Sequence, residues 1–185
     1  MCFNGATVGD LLKLNKLVER VSRDGLRLKF SRLDSLETCT IECYTDAAFA
    51  NLPGGGSQGA FVLFLMDSAG KRCPIMWQTR KLRRVVKSTL SAETMALLEG
   101  AEAAVYVANI IGSIILRPSL KVNCYVDNKS LVDALSSTKR VEDRRLRIDL
   151  AVLEDMLAKK EINSVLWIAS RQQLADCLTK RGVST

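Results

Sequence analysis

The sequence predicts an α/β domain with a five-stranded mixed sheet, three antiparallel strands followed by parallel additions, flanked by helices. Three observations predict it. Three strand-like runs separated only by short turns lie between Ile41 and Gln78. Two later runs, 121–126 and 162–168, are each reached through helical patterns, the usual way a chain returns to one sheet in parallel. Four carboxylates, Asp46, Glu93, Asp127 and Asp176, then fall on four different elements of that order.

Each element has its own signal. Leu11, Leu14, Leu17, Val18 and Val21 recur at helical spacing from about Val8 to Arg23, and Asp24-Gly25 supplies a stop. Leu26 to Phe30 alternates apolar and basic residues like an edge strand, and Ser31 to Thr40 reads as a polar connector. Ile41 to Ala48, Gly59 to Met66 and Lys71 to Gln78 form an antiparallel meander. Its turns are Asn51-Leu-Pro-Gly-Gly-Gly-Ser57 and Asp67-Ser-Ala-Gly70. Ser88 caps a helix running to about Gly112, with a broad apolar face through Leu90, Leu97, Ala101, Val105 and Ala108. Lys121 to Val126 is the fourth strand, Asn128 to Leu135 a short helix, and Asp143 to Lys160 a longer one. Ile162 to Ile168 is the fifth strand, and Ser170 with Gln173 has the pattern of a capping box for a last helix bearing Asp176 and Lys180. The chain thus divides into an appendage, residues 1–38, and a main domain, residues 39–185.

Composition narrows the chemistry. A chain of 185 residues, 48% hydrophobic and 25% charged, holds one full α/β domain and is too short for two ordinary ones. No continuous apolar run approaches the roughly 20 residues of a membrane span, and the N-terminus lacks the pattern of a secretory signal, so an intracellular protein without a membrane partner is expected. Six cysteines, at 2, 39, 43, 73, 124 and 177, have no Cys-x-x-Cys spacing, and reduced, mostly buried thiols are expected. The chain has no histidine, which removes Ser-His and Cys-His nucleophile pairs and leaves carboxylates, lysines and metals to do any chemistry. No small-molecule cofactor is called for.

Singly, each acid has an ordinary explanation: Asp127 as a cap, Glu93 as a favourable charge near a helix start, Asp46 in a turn and Asp176 on a solvated face. Jointly they ask for more. Asp46 and Asp127 close two separate strand runs, and acids at adjacent parallel strand ends open on one crevice. Bare carboxylates about 4 Å apart repel by roughly 4 kcal/mol per pair at an effective dielectric near 20. A cluster of them therefore implies bound cations, and oxygen ligands without histidine point to Mg²⁺ or Mn²⁺. Formal net charge is nevertheless +7, so basic residues must lie elsewhere. Arg80, Lys81, Arg83, Arg84 and Lys87 form the densest run, and Lys139, Arg140, Arg144, Arg145 and Arg147 a second one. Beside an anionic metal cluster they read as a phosphate-binding rim. Trp77 and Trp167, in strand patterns, are assigned to the core.

Four motifs carry a family resemblance. Tyr-Thr-Asp-Ala-Ala-Phe-Ala (44–50), Ser-Thr-Leu-Ser-Ala-Glu-Thr-Met-Ala-Leu (88–97), Tyr-Val-Asp-Asn-Lys-Ser-Leu-Val (125–132) and Gln-Leu-Ala-Asp-Cys-Leu-Thr-Lys (173–180) resemble, in order and approximate spacing, the ribonuclease H domain of copia-type LTR-retrotransposon polyproteins. The resemblance runs from about Ile41 to Lys180. It implies a ribonuclease H-like fold and an endoribonuclease that cuts the RNA strand of RNA–DNA hybrids during reverse transcription. The implied catalytic and metal-binding residues are Asp46, Glu93, Asp127 and Asp176, holding two Mg²⁺ ions for which Mn²⁺ can substitute. Asp46 would bridge both ions, with Glu93 and Asp127 on one and Asp176 on the other. Residues 1 to about 38 resemble the connection after reverse transcriptase, which implies an excised or processed piece whose partner is that polymerase. An element's particle in the cytoplasm, with access to the nucleus, is the implied location. One departure is visible: where family members often carry Lys-His-Ile-Asp, this chain has Arg145-Leu-Arg147-Ile-Asp149.

Hybrid recognition would rest on shape and 2′-hydroxyl contacts. Asn51, Gln58, Gln78 and Asn128 are the candidate polar contacts, and Arg80, Lys81, Arg83 and Arg84 the candidate phosphate contacts. Two other readings stay open: a DNA-cutting integrase- or resolvase-like nuclease, and a non-catalytic module that supports a polymerase or only binds nucleic acid.

Overall fold

The computed structural model describes residues 7–25, 27–137 and 141–180 and divides into two units, Met1–Phe30 and Ser31–Thr185. In the first unit, helix α1 spans Val8–Asp24. The Thr7 hydroxyl accepts from the Asp10 amide while the Asp10 carboxylate accepts from the Thr7 amide at 3.0 Å, a reciprocal cap, and Gly25 ends the helix in the left-handed region at φ 56°. None of the helix's residues is buried. The expected edge strand at 26–30 does not form: residues 27–30 are irregular and Leu28 and Phe30 are exposed, while Leu26 lies outside the described residues. Alternation alone makes no strand, because the backbone groups of a strand need a ladder partner.

The second unit carries the sheet, in the order β3-β2-β1-β4-β5. Strands β1 (Thr40–Leu52), β2 (Gly56–Met66) and β3 (Arg72–Lys81) form the antiparallel meander. They outrun the apolar segments of the sequence, because Leu52 pairs with Gly56 across the Pro53–Gly55 turn and the ladder of β2 and β3 extends to Gln58 opposite Lys81. β4 (Lys121–Val126) pairs in parallel with β1, and β5 (Ser164–Trp167) in parallel with β4.

Helix α2, Thr89–Ile114, packs against β1, β2 and β4 and touches α3 (Lys129–Ser136) and α4 (Arg144–Ala158). By length and composition α2 could cross a bilayer, although Glu93, Glu99, Glu102 and small polar residues break it into short apolar runs. Here that apolar side is core: Leu97, Ala101, Ala104 and Ala108 are buried against Ile41, Cys43, Val122 and Cys124. Gly100 permits the close approach, for a Cβ there would stand 2.6 Å from Thr45 Cγ2 and 2.9 Å from Cys43 Sγ. Four of the five described cysteines, 39, 43, 73 and 124, are buried thiols, and Cys177 is exposed; Cys2 lies outside the described residues.

On the other side of β1 the buried Glu42 accepts from Arg72 Nε at 2.7 Å and from the hydroxyls of Tyr44 (3.3 Å) and Tyr125 (3.0 Å). The two tyrosine rings stack, with centroids 4.8 Å apart. Beside them sits the last helix, which differs from the expected one. Ser170–Gln172 is a 3-10 turn, and α5 is the single turn Asp176–Thr179 with no side-chain cap. Gln173 forms no capping box, because its Oε1 accepts from the Ala175 amide and its Nε2 donates to the sheet at the Thr45 carbonyl.

Candidate active site

The β1–β4 ladder ends with Tyr44 opposite Tyr125, so Asp46 and Asp127 each stand two residues beyond the last pair. Asp46 does not end its strand as expected; β1 continues to Leu52 along β2. What ends there is its pairing with β4, and that parting makes the crevice. Glu93 enters from the second turn of α2, whose start is set by Ser88, with its hydroxyl accepting from the Ser91 amide at 3.1 Å. Asp46, Glu93 and Asp127 bring carboxylate oxygens within 4.8 Å of one another.

Burial sharpens the conflict between these charges. Asp46 and Glu93 are buried and Asp127 is half-buried. Burial first, then the neighbouring Asp46 and Asp127, pushes the Glu93 carboxyl up to about 9. Asp46 is raised as well, chiefly by burial and against a lowering hydrogen bond from Thr179, with Asp176 and Asp127 adding to the rise. Glu93 Oε2 is buried without a hydrogen-bond partner. An orphan carboxylate oxygen among two others is what a divalent cation would satisfy, and the all-oxygen donor set suits Mg²⁺ or Mn²⁺.

Asp176 stands outside this trio. Its carboxylate is ion-paired with Lys180 one turn on, yet it lies near enough to raise both Asp46 and Glu93. Next to it, the buried Thr179 donates its hydroxyl to Asp46 Oδ2. Of the 173–180 motif only Asp176 is assigned to the site from sequence; Gln173 is read there as half of a capping box, and Thr179 and Lys180 receive no role at the site. Their signal was available: polar residues interleaved with Leu174, Ala175 and Leu178 on a segment that must pack.

The other predicted contacts scatter. Asn51 Nδ2 donates to Gln58 Oε1 at 3.0 Å, and Gln58 Nε2 donates to Thr79 Oγ1 at 2.7 Å and to the Leu178 carbonyl at 2.9 Å. Gln58 therefore ties α5 to β2 and β3, and Asn51 of β1 is bonded to it. Asn128 caps α3, accepting from the Leu131 amide at 3.2 Å, and Gln78 is half-buried in β3. Arg80 pairs with Glu99 at 2.8 Å and Arg84 with Asp149 at 2.7 Å, so two of the four basic contacts are bound to acids of the fold. Lys81 and Arg83 are exposed, and no ion pair to either occurs among the described residues. Of the second basic run, Lys139 and Arg140 lie outside the described residues. Trp77 and Trp167 are not core: each is 51% exposed, because β3 and β5 are the sheet's edges. Trp167 Nε1 donates to the Asp127 carbonyl at 3.0 Å.

No protein-family model matches the sequence, and no curated protein matches it. Solved structures do match. LC11-RNase H1, isolated from compost by a metagenomic approach, superposes with a TM-score of 0.55 at 17% identity, over 75% of this chain and 91% of its own. The same protein in complex with an RNA/DNA hybrid gives 0.53 at 17% identity, over 75% and 93%. The foamy viral protease-reverse transcriptase in complex with an RNA/DNA hybrid gives 0.54 at 12% identity, over 83% of this chain and 21% of that one. At such identities the likeness is one of fold: the mixed sheet and its helices are those of the ribonuclease H-like fold.

Proposed function

We propose that this chain is a metal-dependent ribonuclease H that cleaves the RNA strand of RNA–DNA hybrids, from the polyprotein of a copia-type element. The observation that carries the reading is the gathering of Asp46, Glu93 and Asp127, from three separate elements of a ribonuclease H-like fold, around an unpartnered buried Glu93 oxygen. Asp46, Glu93 and Asp127 would hold one Mg²⁺, and Asp46 with Asp176 a second. Divalent ions bound there supply an activated water and charge stabilisation for the departing 3′ oxygen, leaving 5′-phosphate and 3′-hydroxyl ends. Thr179 keeps the Asp46 carboxylate oriented, and Lys180 places a positive charge at Asp176.

Hybrid binding falls to the exposed basic residues. Beside the capped start of α2 a concavity is lined by Lys87, Ser91 and Arg145 together with Asp143 and the paired Arg84 and Asp149; there Lys87 and Arg145 are the basic groups left to meet a backbone phosphate. Lys81 and Arg83 extend the rim. The polymerase of the same polyprotein is the proposed protein partner, and the cytoplasmic particle of the element, with access to the nucleus, the proposed location.

The test is cleavage of end-labelled RNA–DNA hybrid, double-stranded RNA and double-stranded DNA with Mg²⁺, Mn²⁺ or EDTA, with Asp46→Asn as control. Metal-dependent cutting of the hybrid's RNA strand alone, lost in the variant, is the expected outcome. Cutting of double-stranded DNA with the hybrid spared would instead make the chain a DNA nuclease. Tight hybrid binding without cutting would make it a binding module.

A further inference from the structure

We infer that Gln173 is the positioning residue of this site, a buried clamp that holds the segments bearing Asp46, Asp127 and Asp176 in one geometry for metal. The inference rests on the metal-site reading above and adds a residue that touches no acid. Gln173 is 5% exposed. Its Nε2 donates to the Thr45 carbonyl at 2.9 Å and, at 3.5 Å, to the Tyr125 carbonyl, while its Oε1 accepts from the Ala175 amide at 3.2 Å. Thr45 precedes Asp46, Tyr125 lies two residues before Asp127, and Ala175 precedes Asp176. One side chain thus reaches all three segments.

Its place in the sheet explains why such a clamp is needed. Strand pairing between β1 and β4 stops at Tyr44 and Tyr125, and past that point the two acids must be held against their own repulsion. Gln173 takes over where the ladder ends, spanning the gap with one amide group. Side chains of similar size or chemistry do not do this. Glutamate would turn lone pairs towards two carbonyl oxygens, methionine would fill the volume without a donor, and asparagine is a methylene too short. The linkage goes through backbone, so Gln173 acts on the acids only by fixing where their strands lie, the role outer residues play at metal sites.

The test is Mn²⁺ titration calorimetry on the full chain, wild type and Gln173→Met, well below both melting temperatures, with Asp46→Asn as the control. A loss of metal affinity of about tenfold or more is expected, of the size seen when supports of metal ligands are removed. A merely structural role would lower the melting temperature and leave the Mn²⁺ affinity within twofold of wild type; that result overturns the clamp while the metal reading stands. Wild type that takes up no Mn²⁺ overturns both. Should Gln173→Met not fold, the wild-type side-chain amide decides by NMR. Its protons should be protected from exchange and shift during Mg²⁺ addition with the same midpoint as the Ala47 amide, which hydrogen-bonds to the Asp46 and Glu93 carboxylates, and an amide that exchanges freely and does not shift overturns the clamp.

Discussion

At the scale of single residues the site is defined by a charge that the metal-free fold suppresses. Glu93 keeps its proton in the folded state up to about pH 9, whereas in the unfolded chain it ionises near its ordinary value of 4.5. Between those values the folded state binds more protons than the unfolded one. Its contribution to stability is therefore whole below pH 4.5 and is lost as pH rises through about 9. In EDTA the wild-type melting temperature should fall as pH is raised from 5 to 9, with Asp46 acting in the same direction. Glu93→Gln should flatten that fall and melt higher than wild type at pH 8 by about 3 °C, since 1 kcal/mol is worth about 2–4 °C in a domain of this size. Equal melting curves for the two proteins would show that the buried oxygen is not strained. Asp127→Asn makes the complementary case: hybrid cleavage abolished, metal-free stability unchanged or raised. A clear drop in its metal-free melting temperature would count against a repulsive cluster.

At the scale of elements, the approach of α2 to the sheet sets where Glu93 meets Asp46. Gly100 lies in the contact, and its replacement by alanine pits a gain of about 1 kcal/mol in helix propensity against an overpacking cost of about 1–3 kcal/mol. Overpacking should win. Both close neighbours, Thr45 Cγ2 and Cys43 Sγ, lie on short side chains of the buried central strand β1, with little room to give way. Gly100→Ala should lower stability by about 1–2 kcal/mol in urea and weaken Mn²⁺ binding as Glu93 shifts with its helix. Undiminished stability would mean that α2 slides without cost. The single turn α5 shows the other side of such positioning: with four residues and no side-chain cap it is held by tertiary bonds, from Gln58 and Thr79 to the Leu178 carbonyl and from Thr179 to Asp46.

At the scale of the whole molecule, an acidic crevice sits in a chain of formal net charge +7. Hybrid binding should weaken steeply with salt, with a log–log slope of at least about −3 if a few phosphates are neutralised. Arg83→Ala should reduce that slope by about 1, whereas Arg80→Ala should change it little, since Arg80 already neutralises Glu99. A salt-insensitive affinity would remove the basic rim from the binding surface.

The element order of the main domain, and Asp46, Glu93 and Asp127 as acids that meet, were legible in the sequence because each is carried by a local pattern. Periodicity marks the strands and helices of the main domain, and each acid belongs to a short local motif, although Asp46 lies within its strand rather than at its end. The missing strand at 26–30, the exposed Trp77 and Trp167 on edge strands, and the internal pairing of Arg80, Arg84, Asn51 and Gln58 were not legible. Each depends on how separate segments pair or pack. Sequence by itself determined which groups can ionise, donate or pack, and in what order. Only the tertiary structure decided which of them meet, because the end of the β1–β4 ladder, the glycine contact of α2 and the reach of Gln173 are distances between segments that no local pattern encodes.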